Sequence, residues 1–160
     1  MTIKVGDKVP DVAVATKTAD GIAQLSRDEM FGGKKVVLFA LPGAFTPTCS
    51  AKHLPSFVTK ARDLKAKGVD TIACLSVNDA FVMDAWGSSQ GAGDDVTMIA
   101  DGSAAFTKAL GLELDLTDRG MGVRSQRYAM VVDDGTVSQL FVEAAGAYEV
   151  SSAEHVLSNL

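Results

Sequence analysis

Residues Leu38 to Phe57 read LFALPGAFTPTCSAKHLPSF: an apolar strand that breaks on Pro42-Gly43 and then sets Cys49 among threonines at the start of a helix. Pro47 suits the first helical position, where a missing N–H costs nothing, so Thr46 is the expected N-cap and Cys49 falls in the first turn. Backbone N–H groups there lack intrahelical partners and the helix dipole is positive, and both favour thiolate over thiol. The thiolate is the nucleophilic form of cysteine. A cysteine that only fills a core needs neither the rigid Pro42 and Pro47 nor the polar Thr46 beside it. The stretch therefore points to chemistry at an exposed sulfur.

Four further residues bear on that chemistry. His53 follows Cys49 at i+4, on the same face of an unbroken helix. Two roles suit it: tuning the thiol, or bonding a backbone carbonyl near Pro55, which interrupts the helix and is expected to kink it about a turn earlier. Cys74 lies in TIACLSV, an apolar strand in which a thiol is ordinarily buried and inert. Arg127 opens a later strand, on the face of Ala129 and Val131, where a charge is ordinarily a solvated edge residue. Nothing local sets Arg127 or the nearby Arg124 beside Cys49. Among the aromatics, Trp86 suits a core or a subunit contact, Phe81 is expected in the core, and Phe45, in the loop before the helix, is the better contact residue.

These residues need elements to position them. Strand-like runs at Asp11 to Thr16, Lys35 to Leu41, Val69 to Val77 and Val96 to Ala100 alternate with helical patterns at Thr48 to Lys67, Asp79 to Gln90 and Ser103 to Leu110. That alternation predicts an α/β fold with a central, partly parallel sheet. In the first helix, Leu54, Phe57, Val58, Ala61 and Leu64 recur at helical spacing as the buried stripe. The last third differs: strands at Gln126 to Val132 and Thr136 to Val142 flank Asp134-Gly135, a two-residue hairpin turn, and Ser152 to Leu160 forms a closing helix. A hairpin and a terminal helix after the alternating part suit a thioredoxin-like layout, a central mixed sheet flanked by helices.

The 160 residues suit a single domain over residues 1–160, with no repeat or linker to divide it. A formal charge of −5, with no basic run longer than Lys34-Lys35, excludes an electrostatic footprint for nucleic acid or an anionic membrane. Val36 to Leu41 is far shorter than the roughly 20 apolar residues of a membrane span. The N-terminal MTIKVGDKVPD has neither an apolar signal core nor an Arg-rich presequence, so a cytoplasmic location is expected. Cys49 and Cys74 form no CxxC, and no cysteine–histidine set has zinc spacing, so neither a metal nor a structural disulfide is expected.

The spacing Pro42-x-x-x-Thr46-x-x-Cys49 resembles the active-site signature of the peroxiredoxins, and PGAFTPTCSAKHLPSF resembles the subfamily that contains the plant type II enzymes and their bacterial relatives. IKVGDKVPD, CLSVNDAFVMDAW, RSQRYAMVVDDG and SSAEHVLSNL extend the likeness along the chain. The resemblance implies a thiol-dependent peroxidase that reduces hydrogen peroxide and alkyl hydroperoxides without a cofactor. In it Cys49 would be the peroxidatic nucleophile, Thr46 and Pro42 would shape the peroxide site, and Arg127 would act on the thiolate and the leaving oxygen, with Arg124 a candidate for supporting that network; His53 stays a supporting candidate on its spacing from Cys49 alone. Cys49 would cycle through sulfenic acid. Some type II relatives carry a cysteine at the place of Cys74, considered there as a resolving thiol. Another branch has its resolving cysteine near the C-terminus, but Gly146 to Leu160 contains none, so recycling would fall to glutathione with glutaredoxin, or to thioredoxin. Relatives form homodimers with the active-site loops at the contact. Two other readings stand beside this one: a noncatalytic thioredoxin-like binding or chaperone module that retains Cys49, and a cysteine hydrolase pairing Cys49 with His53 or His155, which lacks an evident third orienting residue.

Overall fold

The run KVVLFA, residues Lys35–Ala40, is apolar at every position after the first, so as a strand it must be covered on both faces. In the computed structural model, which describes residues 1–160, it lies inside a seven-stranded sheet. Along the chain the strands are β1 (Val14–Thr18), β2 (Gly21–Leu25), β3 (Lys35–Ala40), β4 (Thr71–Ser76), β5 (Thr97–Ala100), β6 (Glu113–Leu116), β7 (Gly122–Ser125), β8 (Tyr128–Asp133) and β9 (Thr136–Val142). The helices are α1 (Arg27–Phe31), α2 (Leu54–Ala66), α3 (Ala80–Ser89), α4 (Ala105–Leu110) and α5 (Ala153–Ser158). The sheet has the order β2-β1-β5-β4-β3-β8-β9, and β6 and β7 form a separate two-stranded arm.

The sheet is mixed. β3, β4 and β5 run parallel through the crossovers α2 and α3, whereas β8 lies antiparallel to β3 and β9 antiparallel to β8. Alternate side chains divide into two cores. Val37, Phe39, Cys74, Ala129 and Val131 face α2, α3 and α5, which contribute Leu54, Phe57, Leu64, Met83, Trp86 and Val156. Val36, Leu38, Leu75, Met130 and Val132 face α1 and α4 through Met30, Phe31, Phe106 and Leu110. Cys49 belongs to the first of these cores. The register Ala40↔Tyr128 and Phe39↔Cys74 then places Arg127, one residue before β8, beside the end of β3 from which the Cys49 loop departs.

The thioredoxin-like layout expected from the sequence is the one observed. Asp134 and Gly135, with φ of 46° and 81°, form the expected hairpin turn. Ser152 caps the closing helix, its hydroxyl accepting from the His155 N–H. The first strand starts at Val14 rather than Asp11 and pairs with an unanticipated β2, whose residues are largely exposed and carry little periodic signal. The β6–β7 arm was likewise not anticipated. Phe81 corrects its expectation: it is 64% exposed, while Trp86 is fully buried and Phe45 is 58% exposed. No helix is long and apolar enough to cross a membrane.

Candidate active site

The loop after β3 is held from several sides. The Ala44 N–H donates to Asn78 Oδ1 at 3.0 Å, and Asn78 accepts in turn from the Ser76 hydroxyl. Phe45 has φ of 65°, a left-handed conformation that an aromatic residue rarely adopts and that needs support from its surroundings. Thr46 stands at the N-cap place, its carbonyl accepting the Ser50 N–H at 3.0 Å. Its hydroxyl does not cap. It donates to the Gly43 carbonyl at 2.6 Å and closes the loop on itself. The Thr48 and Cys49 N–H groups bond to no carbonyl of the chain, so the first turn offers unpaired donors, as its position implies.

The helix expected over Thr48 to Lys67 divides in two. Cys49–His53 is one π-helical turn, in which the Leu54 N–H reaches the Cys49 carbonyl, and α2 follows with Pro55 in its first turn. The wide turn is what the proline requires: the ladder restarts so that Pro55 falls where an N–H is not needed. The buried stripe of α2 is Leu54, Phe57, Ala61 and Leu64, with Val58 packed at its margin. The expected exposed sulfur is also corrected, because Cys49 is only 1% exposed. Packing of the turn against the sheet draws the side chain into the core.

Arg127 comes to the sulfur from across the sheet. Its Nη2 donates to Cys49 Sγ at 3.2 Å, while Nη1 donates to His53 Nδ1 at 2.9 Å. His53 Nε2 lies 2.9 Å from the Ser151 carbonyl, which can only accept, so Nε2 carries the ring hydrogen and Nδ1 is the acceptor for Arg127. The imidazole is fully buried between Phe39, Phe57 and Tyr148. Burial and the adjacent guanidinium lower its pKa to about 3. His53 is therefore a neutral relay between a backbone carbonyl and Arg127. Both ring nitrogens are committed, which leaves no acceptor for a thiol proton and argues against the hydrolase pairing. His155, edge-on to Phe141, sits on α5 and makes no bond to Cys49.

The remaining expected residues fall around this centre. Arg124, carried by β7, donates to the Pro42 and Met121 carbonyls and braces the loop instead of touching sulfur. A Cβ on Gly43 would come within 2.7 Å of its Nη1, so a larger residue there would push the guanidinium off its present position. Pro42, Thr48, Arg127 and Glu143 line a cavity of about 370 Å³, with Leu114 and Ala144 among its apolar walls. Cys74 is fully buried on the same face as Cys49, and burial, then the Cys49 sulfur, pushes its pKa well up. Both cysteines are free. No cluster of histidine, cysteine or carboxylate side chains could hold a metal. Sequence reasoning missed Glu143, Tyr148 and Ser151. The visible signals were an acid closing the β9 strand and a lone aromatic among the small residues of AAGAYEVSS.

The depressed His53 pKa sets a pH dependence of stability. Below about pH 6.5 the unfolded chain takes up a proton on this histidine, and the native chain does not until about pH 3. Stability should be fully present above pH 6.5 and fall by up to about 1.4 kcal/mol per pH unit as the pH drops through this window. Denaturant titrations from pH 7 to 4 should show the slope, and His53→Gln should remove much of it. An equal slope in both proteins would rule out His53 as its source.

Comparison with known proteins agrees with this geometry. The Redoxin family model matches residues 4–157. The chain is 56% identical over 164 residues to Peroxiredoxin-2E-2, chloroplastic, of Oryza sativa subsp. japonica, covering 99% of this chain and 73% of the relative. It is 51% identical over 159 residues to Peroxiredoxin-2B of Arabidopsis thaliana, covering 99% and 98% of the two chains. The crystal structure of reduced Prx3 from Vibrio vulnificus in complex with hydrogen peroxide superposes with a TM-score of 0.96 at 54% identity, covering 99% of each chain. A thioredoxin-like sheet that carries a guanidinium-paired cysteine at a helix start is thus matched along almost its whole length, and the chain belongs to the redoxin family as a type II peroxiredoxin, one of the thiol-dependent peroxidases.

Proposed function

We propose that Cys49 is the nucleophile with which this protein reduces hydrogen peroxide and small alkyl hydroperoxides. The observation that carries the reading is the Arg127 Nη2 bond to Cys49 Sγ, at a helix start whose Thr48 and Cys49 N–H groups are unpaired. The cationic fork stabilises negative charge on sulfur. The thiolate attacks one peroxide oxygen, a sulfur–oxygen bond forms as the O–O bond breaks, and the electron pair leaves on the second oxygen, which takes up a proton to become water or an alcohol. Arg127 and the unpaired N–H groups are placed to meet the charge that grows on the leaving oxygen. Pro42 lines the cavity beside Arg127, Thr46 closes the loop that carries Pro42 and Cys49, and the apolar cavity wall at Leu114 and Ala144 suits an alkyl group.

Sulfur is left as sulfenic acid, two electrons more oxidised, and a second thiol must return those electrons. Cys74 is a poor candidate: its strand lies inside the sheet, and burial keeps its thiol protonated. An external thiol, glutathione with glutaredoxin or else thioredoxin, attacks the sulfenic sulfur and releases water. A second reducing thiol then resolves the mixed disulfide. The exposed Phe45 and Phe81 support a homodimer with the loop before Cys49 at its contact. One sheet uniting Val14 to Val142 supports a single domain over residues 1–160, and we place the protein in the cytoplasm.

Cys49→Ser should fold normally and lose peroxide turnover by at least about a hundredfold, since a hydroxyl is a far weaker nucleophile at neutral pH; turnover near wild type would refute the assignment. Arg127→Gln should slow single-turnover peroxide consumption by roughly 10²-fold to 10³-fold, the scale for losing one donor to a developing oxyanion. An unchanged rate would remove Arg127 from the chemistry. Cys74→Ser should keep turnover within about twofold with glutathione plus glutaredoxin, the assay to be run beside thioredoxin plus its reductase. After one equivalent of peroxide, mass spectrometry should find the oxidation on Cys49 with Cys74 still alkylatable upon denaturation. A dominant Cys49–Cys74 disulfide would instead make opening of the core part of the cycle.

A further inference from the structure

Glu143 follows β9 directly, is only 8% exposed and makes no ion pair. A carboxylate in that position must be satisfied by hydrogen bonds. Four donors supply them: the N–H groups of Glu149, Val150 and Ser151, and the Ser151 hydroxyl, all at 2.7 to 3.0 Å. Three consecutive N–H groups converging on one anion form a nest, so the chain from Glu149 to Ser151 is folded around this carboxylate. Burial pushes the Glu143 carboxyl up, but the four hydrogen bonds outweigh it and hold the group below the usual carboxylate range.

The turn thus built ends at the carbonyl that His53 uses. Ser151 N–H faces Glu143 while Ser151 C=O accepts from His53 Nε2. His53 Nδ1 then receives one arm of Arg127, and the other arm reaches Cys49. Glu143 also holds Arg127 directly through the backbone, its N–H donating to the Arg127 carbonyl at 3.0 Å. No other hydrogen bond holds the two guanidinium arms within the chain, and the centroid of the Tyr148 ring lies 5.9 Å from the guanidinium carbon. We propose that Glu143 is a positioning residue of the peroxidase: its carboxylate shapes the Glu149–Ser151 turn, the turn fixes the His53 tautomer, and the tautomer aims Arg127 at sulfur. The proposal rests on the assignment of Cys49 and Arg127 as the reacting pair, and Glu143 itself makes no bond to the Cys49 sulfur.

The test is Glu143→Gln, which keeps the size but replaces an all-acceptor group with one that presents an NH₂ to N–H donors. Two-dimensional NMR of ¹⁵N-histidine protein reads the His53 tautomer without any peroxide. The wild type should show a neutral ring protonated at Nε2, and the variant should show that pattern shifted or averaged, with single-turnover peroxide consumption slowed by about 10-fold to 100-fold. In a His53→Gln background the same substitution should add less than about twofold, since its effect passes through the imidazole. If Glu143→Gln does not fold, Glu143→Asp, which keeps the charge but is shorter by a methylene, carries the same two measurements and should show both changes in reduced degree. An unmoved His53 spectrum, or a rate loss that is fully additive with His53→Gln, would overturn the proposal. A shifted spectrum in a protein without peroxidase activity would uphold the positioning and overturn the functional assignment instead.

Discussion

The site depends on one fork. A guanidinium offers donors in fixed directions, and Arg127 gives one arm to Cys49 sulfur and the other to His53. The second contact is possible only while the imidazole is neutral, because an imidazolium would present a hydrogen where Arg127 needs a lone pair. Neutrality is secured by packing: Phe39, Phe57 and Tyr148 enclose the ring and exclude the water that would solvate its charge. Side chains that read as ordinary core thus set the electrostatics of the sulfur. Phe39 shows the economy of this most plainly, since it stacks on Phe57 to fasten α2 to the sheet and also walls the histidine.

Burial of Cys49 follows from the same packing. Its place in the sheet core withholds solvent from the sulfur, so any stabilisation of its charge must come from the guanidinium and the first-turn N–H groups. Arg127 both lines the neighbouring cavity and touches the sulfur. Cys49 itself does not line that cavity, so a molecule held there meets the Arg127 cation.

The local half of this arrangement was legible in the sequence and the distant half was not. Pro42, Thr46, Pro47 and Cys49 lie within a few residues, and their turn and capping preferences act at short range, so the helix start and its cysteine could be read directly. Arg127 meets Cys49 across 78 residues of chain, through the β3–β8 pairing, and no local pattern encodes that register. Only the family resemblance pointed to it. The π turn escaped because Pro55 announces a break without saying how the ladder repairs itself. The β6–β7 arm escaped because its residues are half-exposed and its strands have four residues each, too short for a clear alternation. Yet that arm brings Arg124 to Pro42. The central sheet flanked by helices, by contrast, followed from the alternation of apolar strands with helical patterns.

The chain has one tryptophan, and its indole N–H donates to the hydroxyl of Ser50, the residue after Cys49, at 3.0 Å. Trp86 is fully buried, with Phe45 of the neighbouring loop against it. If the π turn opens to admit a reductant, this bond breaks and the ring meets water. Both events shift indole emission. The protein therefore carries its own optical probe bonded to the residue after Cys49, so an opening of the turn can be followed by fluorescence without a label.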